Sequence, residues 1–491
     1  MIPLTLAQLA RATGARLMDA SGEPAALDSP LWRTVVDGPV VTDSRECGPG
    51  GLYVARIGEH ADGHDFVGAA RAAGAVAALT SRGVVAIPHL VIDDVQTAFG
   101  DLARAVVDAS PALRIIGITG SSGKTSTKDL LAQVLSGAGE TVAAVGSYNG
   151  EIGVPLTVCR VTPSTRFLVV EMGARGIGHI AYLTRIAPPH IGVILNVGTA
   201  HVGEFGGQDN IAKAKGELVE ALSVEGVAVL NVGDPLVADM AGRTRARVVG
   251  VCDTEHLPGG RHPDVFAREL VLDASGRASF QLLTPHGGAP VALRLHGRHH
   301  VSNALAVAAV ALECGVALDE VARRLSEAGP VSRWRMEVTE RPDGVTVVND
   351  AYNANPDSMS AALSALAAMS TAPDGSHRRT WAILGEMLEL GAQVDAAHWA
   401  VGTQAVELGT DIVVAVGAGA AMVAEGAREA AVRANDGSPL DPQVYAVGDA
   451  QAAYALLAAK VRPGDVVLVK SSNAAGLRFL GDRVAGREVG S

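Results

Sequence analysis

Cysteine is scarce: four residues in 491 (Cys47, Cys159, Cys252 and Cys314), scattered along the chain with no CxxC pair. That spacing offers neither the disulfide frame of a small secreted fold nor a zinc cage, and it suits a reducing compartment. The opening residues, MIPLTLAQLARATGAR, lack a basic segment followed by an unbroken apolar one, so no signal peptide is read. Apolar stretches such as residues 304–312 stop well short of the roughly 18–20 residues that cross a bilayer. A soluble, cytoplasmic chain without membrane insertion is expected. No long single-sign charge run occurs, and the net charge of −12 argues against a footprint on duplex phosphates. No nucleic-acid partner is expected, which leaves room for a local basic pocket around a nucleotide. Nothing in the sequence demands more than a monomer.

Apolar residues make up 48% of the chain and charged ones 19%, enough to bury large cores, and the length predicts two to four domains. Three regions separate by pattern. Residues 1–110 combine an amphipathic LAQLARATGA segment with short strands such as GGLYVAR, a small α/β N-terminal domain. Residues 111–330 alternate apolar strands (RIIGITG, FLVVEMG, HIGVILNVG, GVAVLNVGD) with helical segments, the signature of a parallel sheet built from βαβ units. Alternating residues around a DASGR turn predict an antiparallel hairpin insert within that region. Residues 331–491 repeat the alternation through VTVVND, TWAILGE, DIVVAVG and DVVLVK, predicting a smaller Rossmann-like domain. The fold class is therefore α/β in three domains, the central one a P-loop ATPase-like sheet.

The strongest local signal is GITGSSGKT, residues 117–125, between a buried strand and a helical segment. Gly120 and Gly123 let backbone amides face phosphates, the helix N-terminus adds partial positive charge, and Lys124 adds a full one. The Thr125 hydroxyl is placed to ligate Mg²⁺. The spacing is GxxGKT, so the generic GxxxxGKT motif is not matched literally. Glu171 ends an apolar strand, where it reads either as a further metal ligand or as a solvated strand-end carboxylate. His201 follows another strand and reads as a metal ligand, a substrate contact or a loop residue. Lys215 reads by default as a surface lysine. The DSR of residues 43–45 reads by itself as an Asx-type turn with an incidental arginine.

Taken together, TGSSGKTST, EMGA, NVGTAHVGEFGG with AKGE, and GRHHVSNALA resemble the Mur ligases, which build the peptidoglycan stem peptide, in order and approximate spacing. NDAYNANPDSM, LGEMLELG, TDSRECGPGGLYVA and DGHDFV resemble the branch that adds D-alanyl-D-alanine to UDP-N-acetylmuramoyl-tripeptide. The resemblance implies that Gly120, Ser121, Ser122, Gly123, Lys124, Thr125 and Ser126 wrap the ATP phosphates. It implies one Mg²⁺ on Thr125 and Glu171 and a second on His201 and a carbamylated Lys215, with Lys124, Lys215 and His201 catalytic. Asn303, Arg335 and Asp350 are implied at the nucleotide. Asp43, Ser44, Arg45, Asn149 and Glu151 are implied at the UDP-muramoyl substrate, and Tyr352, Asn353 and Asn355 at the incoming dipeptide. Four positions depart from the family pattern: Gly150, His300, Ser471 and Asn473. Asn473 stands where the family usually has an arginine, which removes a fixed bidentate donor. The implied chemistry is phosphoryl transfer to a carboxylate followed by attack of an amine, under a third domain that closes at a hinge near Gly329-Pro330. The rivals are a ligase of the same superfamily with another amine, and a nucleotide-switched binding protein without ligase chemistry.

Overall fold

The computed structural model describes residues 1–198, 202–257, 262–434 and 442–487. Its centre is a nine-stranded sheet. From edge to edge the strands are Gly287–His296, Arg277–Thr284, Val265–Leu272, Arg247–Cys252, Val227–Asn231, Ile191–Ile194, Arg114–Thr119, Thr165–Glu171 and Glu140–Ala143. The strands predicted from RIIGITG, FLVVEMG, HIGVILNVG and GVAVLNVGD are all present. They are apolar on both faces because helices cover both sides, as a parallel sheet requires.

The antiparallel insert predicted around the DASGR turn is present and continues the central sheet. Val265–Leu272 pairs parallel with Arg247–Cys252, and two antiparallel turns then carry the same sheet outward. Alternation did signal the antiparallel strands, since their outer face meets water: Gly287–His296 alternates buried and exposed residues. Their inner face joins the core under the helix His300–Glu313, which is buried along most of its length.

The N-terminal region carries a five-stranded sheet ordered Arg16–Met18, His89–Val91, Ala75–Thr80, Gly51–Val54 and Val40–Val41. Its hydrophobic core is continuous with one face of the central sheet: Leu9, Phe99 and Leu102 belong to the same buried cluster as Leu168, Met172 and Leu218. The C-terminal region has a six-stranded sheet ordered Glu337–Glu340, Thr346–Asn349, Val466–Lys470, Thr380–Leu384, Ile412–Val416 and Gln443–Val447. All its pairings are parallel except at the Glu337–Glu340 edge. It has its own core on each face. At the predicted hinge, Gly329 exchanges two hydrogen bonds with Gln133: its amide donates to Oε1 (3.1 Å), and its carbonyl accepts from Nε2 (3.0 Å). No described helix is long and apolar enough to cross a membrane.

Candidate active site

Three neighbouring strands of the central sheet bring the first half of the site together. Arg114–Thr119 lies between Ile191–Ile194 and Thr165–Glu171, so their C-terminal ends place the glycine loop, Asn196 and Glu171 side by side. Gly123 precedes the helix Lys124–Leu135 with φ at +81°, a left-handed conformation that favours glycine. A Cβ there would stand 2.7 Å from Asn303 Oδ1. The loop thus packs directly on the helix His300–Glu313.

Asn196 pins the loop. Its Oδ1 accepts from the amides of Ser121 and Ser122, both at 2.9 Å, and its Nδ2 donates to the Ser122 hydroxyl at 3.2 Å. Two amides are thereby committed, and those of the first helical turn remain for an anion, where the helix end is intrinsically unpaired. The Lys124 ammonium donates to the carbonyl of Gly120 at 2.6 Å, folded over its own loop. Burial lowers its pKa, an effect that Glu171 opposes and Arg335 adds to.

Glu171 is 1% exposed, so the reading as a solvated strand end is corrected. It accepts from the Thr125 hydroxyl at 2.9 Å and from Asn149 Nδ2 at 2.8 Å. Both donors are neutral, which leaves the buried carboxylate chemically suited to a divalent cation beside the phosphate loop. Among the described residues no three His, Cys, Asp or Glu side chains cluster around one point. Lys215, on the helix Gln208–Glu220, is likewise buried rather than on the surface. Its pKa is driven well down, first by burial and then by Lys124. A lowered pKa raises the share of the neutral amine, the form that acts as a nucleophile. His201 lies outside the described residues.

The C-terminal region supplies the facing wall. Arg335 sits between Trp334 (φ +58°) and Met336 (φ +48°), two non-glycine residues held left-handed. Such strain persists where surroundings over-determine it, and Asp350 provides the constraint by accepting from the Met336 amide at 3.0 Å. The other Asp350 oxygen takes Lys470 Nζ at 2.6 Å. Lys470 is 1% exposed and donates as well to the carbonyl of Asn353 at 3.0 Å. Asp350 and Lys470 therefore hold the loop that carries Tyr352 and Asn353, while the Arg335 guanidinium stands 4.4 Å over the Tyr352 ring. Asn355 caps the helix Pro356–Ala368, its Oδ1 accepting from the Ser358 amide at 2.8 Å.

These parts line one cleft of about 940 Å³, with residues from all three regions. Of the residues proposed from sequence, the seven of the phosphate loop, Asn149, Glu151, Glu171, Lys215, Asn303, Arg335, Asp350, Tyr352, Asn353 and Asn355 all line it. Asp43, Ser44 and Arg45 do not, although the adjoining Thr42 does. Their local structure is the Asx turn: the Arg45 amide donates to Asp43 Oδ1 at 3.0 Å. The Arg45 guanidinium pairs with the same carboxylate, holding Asp43 down at about 2. Of the four departures, Gly150 and Asn473 line the cleft, while His300 and Ser471 lie behind it, both buried. His299 lines it in place of His300, and burial lowers its pKa to about 4. Sequence reasoning assigned no role to Asn196, Lys128, Ser147 or Lys470. Lys470 had a discernible signal, a lysine closing the apolar strand DVVLVK; the others had none.

A phosphate loop at a helix N-terminus, a buried carboxylate beside it and a facing wall from a separate α/β unit define a nucleotide-dependent enzyme whose site lies between its parts. Comparison with known proteins gives the family. Residues 39–106 match the Mur ligase family catalytic domain, 118–311 the Mur ligase middle domain, and 334–473 the Mur ligase glutamate ligase domain. The chain belongs to the Mur ligase family. It is 47% identical to the UDP-N-acetylmuramoyl-tripeptide--D-alanyl-D-alanine ligase of Mycobacterium tuberculosis strain H37Rv, over 98% of both chains. Among solved structures it resembles MurF from Acinetobacter baumannii, with a TM-score of 0.83 and 30% identity over 99% of both chains. It also resembles MurF ligase from Thermotoga maritima in complex with ADP, with a TM-score of 0.76 and 26% identity over 92% of this chain and 98% of that one.

Proposed function

We propose that the protein joins D-alanyl-D-alanine to UDP-N-acetylmuramoyl-tripeptide at the expense of ATP, giving the UDP-muramoyl pentapeptide with ADP and phosphate. The observation that carries this reading is the single cleft onto which the phosphate loop, the Asn149–Glu151 turn and the Tyr352–Asn355 loop all face. A nucleotide, an acyl acceptor and an amine can meet there. The near full-length similarity to D-alanyl-D-alanine ligases supports the choice of substrates.

Amide formation from a carboxylate in water is uphill, and ATP supplies the driving force by transferring its γ-phosphoryl group to the terminal carboxylate of the tripeptide. The dipeptide amine attacks the resulting acyl phosphate, and phosphate leaves with one former carboxylate oxygen. Transfer of a phosphoryl group rests on positioning and on electrostatic stabilisation. Lys124 and the first-turn amides neutralise charge on the outer phosphates, and Arg335 adds a guanidinium from the opposite wall. Thr125 and Glu171 would hold one Mg²⁺, which screens the carboxylate from ATP. A carbamylated Lys215, with His201, would hold a second. Thr42 and Arg56 bound the end of the cleft assigned to the UDP-muramoyl group, next to the Asp43–Arg45 turn. The reaction is cytoplasmic, a monomer suffices for it, and closure about the Gly329 link excludes water from the acyl phosphate. The domain division follows the sequence reading: 1–110 for the UDP substrate, 111–330 for ATP and 331–491 for the dipeptide.

Phosphate release measured with ATP and the tripeptide substrate, with and without the dipeptide, tests the assignment. Release that needs both is expected. Release without the peptide substrates would move the protein to the nucleotide-switch class.

A further inference from the structure

Lys128 lies one turn beyond Lys124 on the same helix and is 1% exposed. Burying an ammonium is costly unless its protons are met. All three are: Nζ donates to the carbonyls of Ala144 (2.8 Å) and Gly146 (2.9 Å) and pairs with Asp129 Oδ1 at 2.6 Å. No donor is left for a phosphate, and Lys128 does not line the catalytic cleft. The two carbonyls belong to the turn that follows the strand Glu140–Ala143. Within that turn Ala144 is buried, whereas Val145 is 58% exposed and Gly146 is left-handed at φ +53°. The lysine anchors it from beneath.

Immediately beyond the turn come two residues that work on the cleft. The Ser147 and Tyr352 hydroxyls are 2.6 Å apart, a contact between the central and C-terminal regions, and Asn149 donates to Glu171. Tyr352 is itself anchored from the far side, by Lys470 on the carbonyl of Asn353 and by Arg335 on its ring. A hydrogen bond between two separately anchored turns forms only when both are in register. The same helical turn also touches the link between the regions: Asp129 Oδ2 accepts from the Ser332 amide at 3.2 Å.

We propose that Lys128 is a positioning residue that sets the Ser147–Tyr352 contact across the cleft, and through it the spacing between the activated carboxylate and the attacking amine. The proposal rests on the reading of the cleft as an amide ligase site. Its test is steady-state kinetics on the full chain with ATP, UDP-muramoyl tripeptide and D-alanyl-D-alanine, for Lys128→Met, Ser147→Ala, Tyr352→Phe and the paired variants. Misplacement of reacting groups predicts that Lys128→Met lowers kcat about ten- to a hundredfold. KM for ATP stays within about threefold, because the nucleotide contacts are untouched. In the Tyr352→Phe background the same replacement costs less than about threefold, since the contact is already gone. Equal losses in both backgrounds, or a loss confined to KM for ATP, overturn the proposal. Should Lys128→Met fail to fold, the Ser147→Ala and Tyr352→Phe cycle decides: non-additive losses support the contact, and independent, multiplying losses overturn it. Failure of the unmodified chain to form any amide would strike the functional reading itself, before any variant is compared.

Discussion

Replacing Asn196 with Ala tests how the phosphate loop is kept ready for its ligand. The side chain accepts from the amides of Ser121 and Ser122; the Ser121 amide also reaches the main-chain carbonyl of Asn196 at 3.2 Å, which the replacement leaves, whereas Gln208 and Asn231 bond instead to the carbonyls of Val197 and Leu195. These bonds exist before a nucleotide binds, so their energy cancels from the affinity and what matters is the order they impose. Freeing the Ser122 backbone returns about 1–2 kcal/mol, which binding must then repay. That range corresponds to roughly five- to thirtyfold in dissociation constant at about 1.4 kcal/mol per tenfold. Calorimetric titration of ADP into the Asn196→Ala chain should show that loss, with a smaller favourable binding entropy than in the parent. Affinity within about twofold of the parent, with the chain folded, would refute the argument that Asn196 preorganises the loop.

Other replacements probe separate parts of the site. Lys124→Ala is expected to abolish turnover while UDP-substrate binding, followed by titration, stays near the parent value; equal loss of both would contradict the division of labour. Lys215→Ala is expected to be inactive and partly restored by small carboxylic acids that stand in for a carbamate, whereas full activity without them would remove Lys215 from the mechanism. The half-buried His299 and the buried His300 bind a proton less readily in the fold than in the unfolded chain, His299 at about 4. The unfolded state therefore holds more protons between the ordinary histidine value, about 6.5, and about 4, so stability falls as pH drops through that window. Replacing both histidines with Gln should flatten the melting temperature between pH 6.5 and 4; an unchanged acid slope would contradict the assignment.

What the sequence revealed and what it hid follow from how local each feature is. The loop at residues 117–125 announces itself because strand, glycines, lysine and helix are contiguous, and the parallel strands do so because burial on both faces makes them uniformly apolar. Glu171 and Lys215 were ambiguous alone, since a carboxylate at a strand end and a lysine in an AKAKGE helix look the same whether solvated or buried. Sheet order decides, and it is a long-range property. Asn196 is seventy-four positions from Ser122 and Lys470 one hundred and twenty from Asp350, so no window of sequence contains either pair. The strands Glu140–Ala143 and Gln443–Val447 went unread because they are short or half-exposed. The hairpin insert was recognised from alternation, but its parallel join to the strand Arg247–Cys252 depends on pairing that alternation does not encode.

The central claim is that a carboxylate is activated by phosphoryl transfer and then captured by an amine. The most direct measurement uses UDP-muramoyl tripeptide carrying heavy oxygen in its terminal carboxylate, with ATP and D-alanyl-D-alanine, and reads phosphate and pentapeptide by mass spectrometry. The account predicts one labelled oxygen in the released phosphate for each amide formed. Pentapeptide formed with unlabelled phosphate, or phosphate released without pentapeptide, would contradict it.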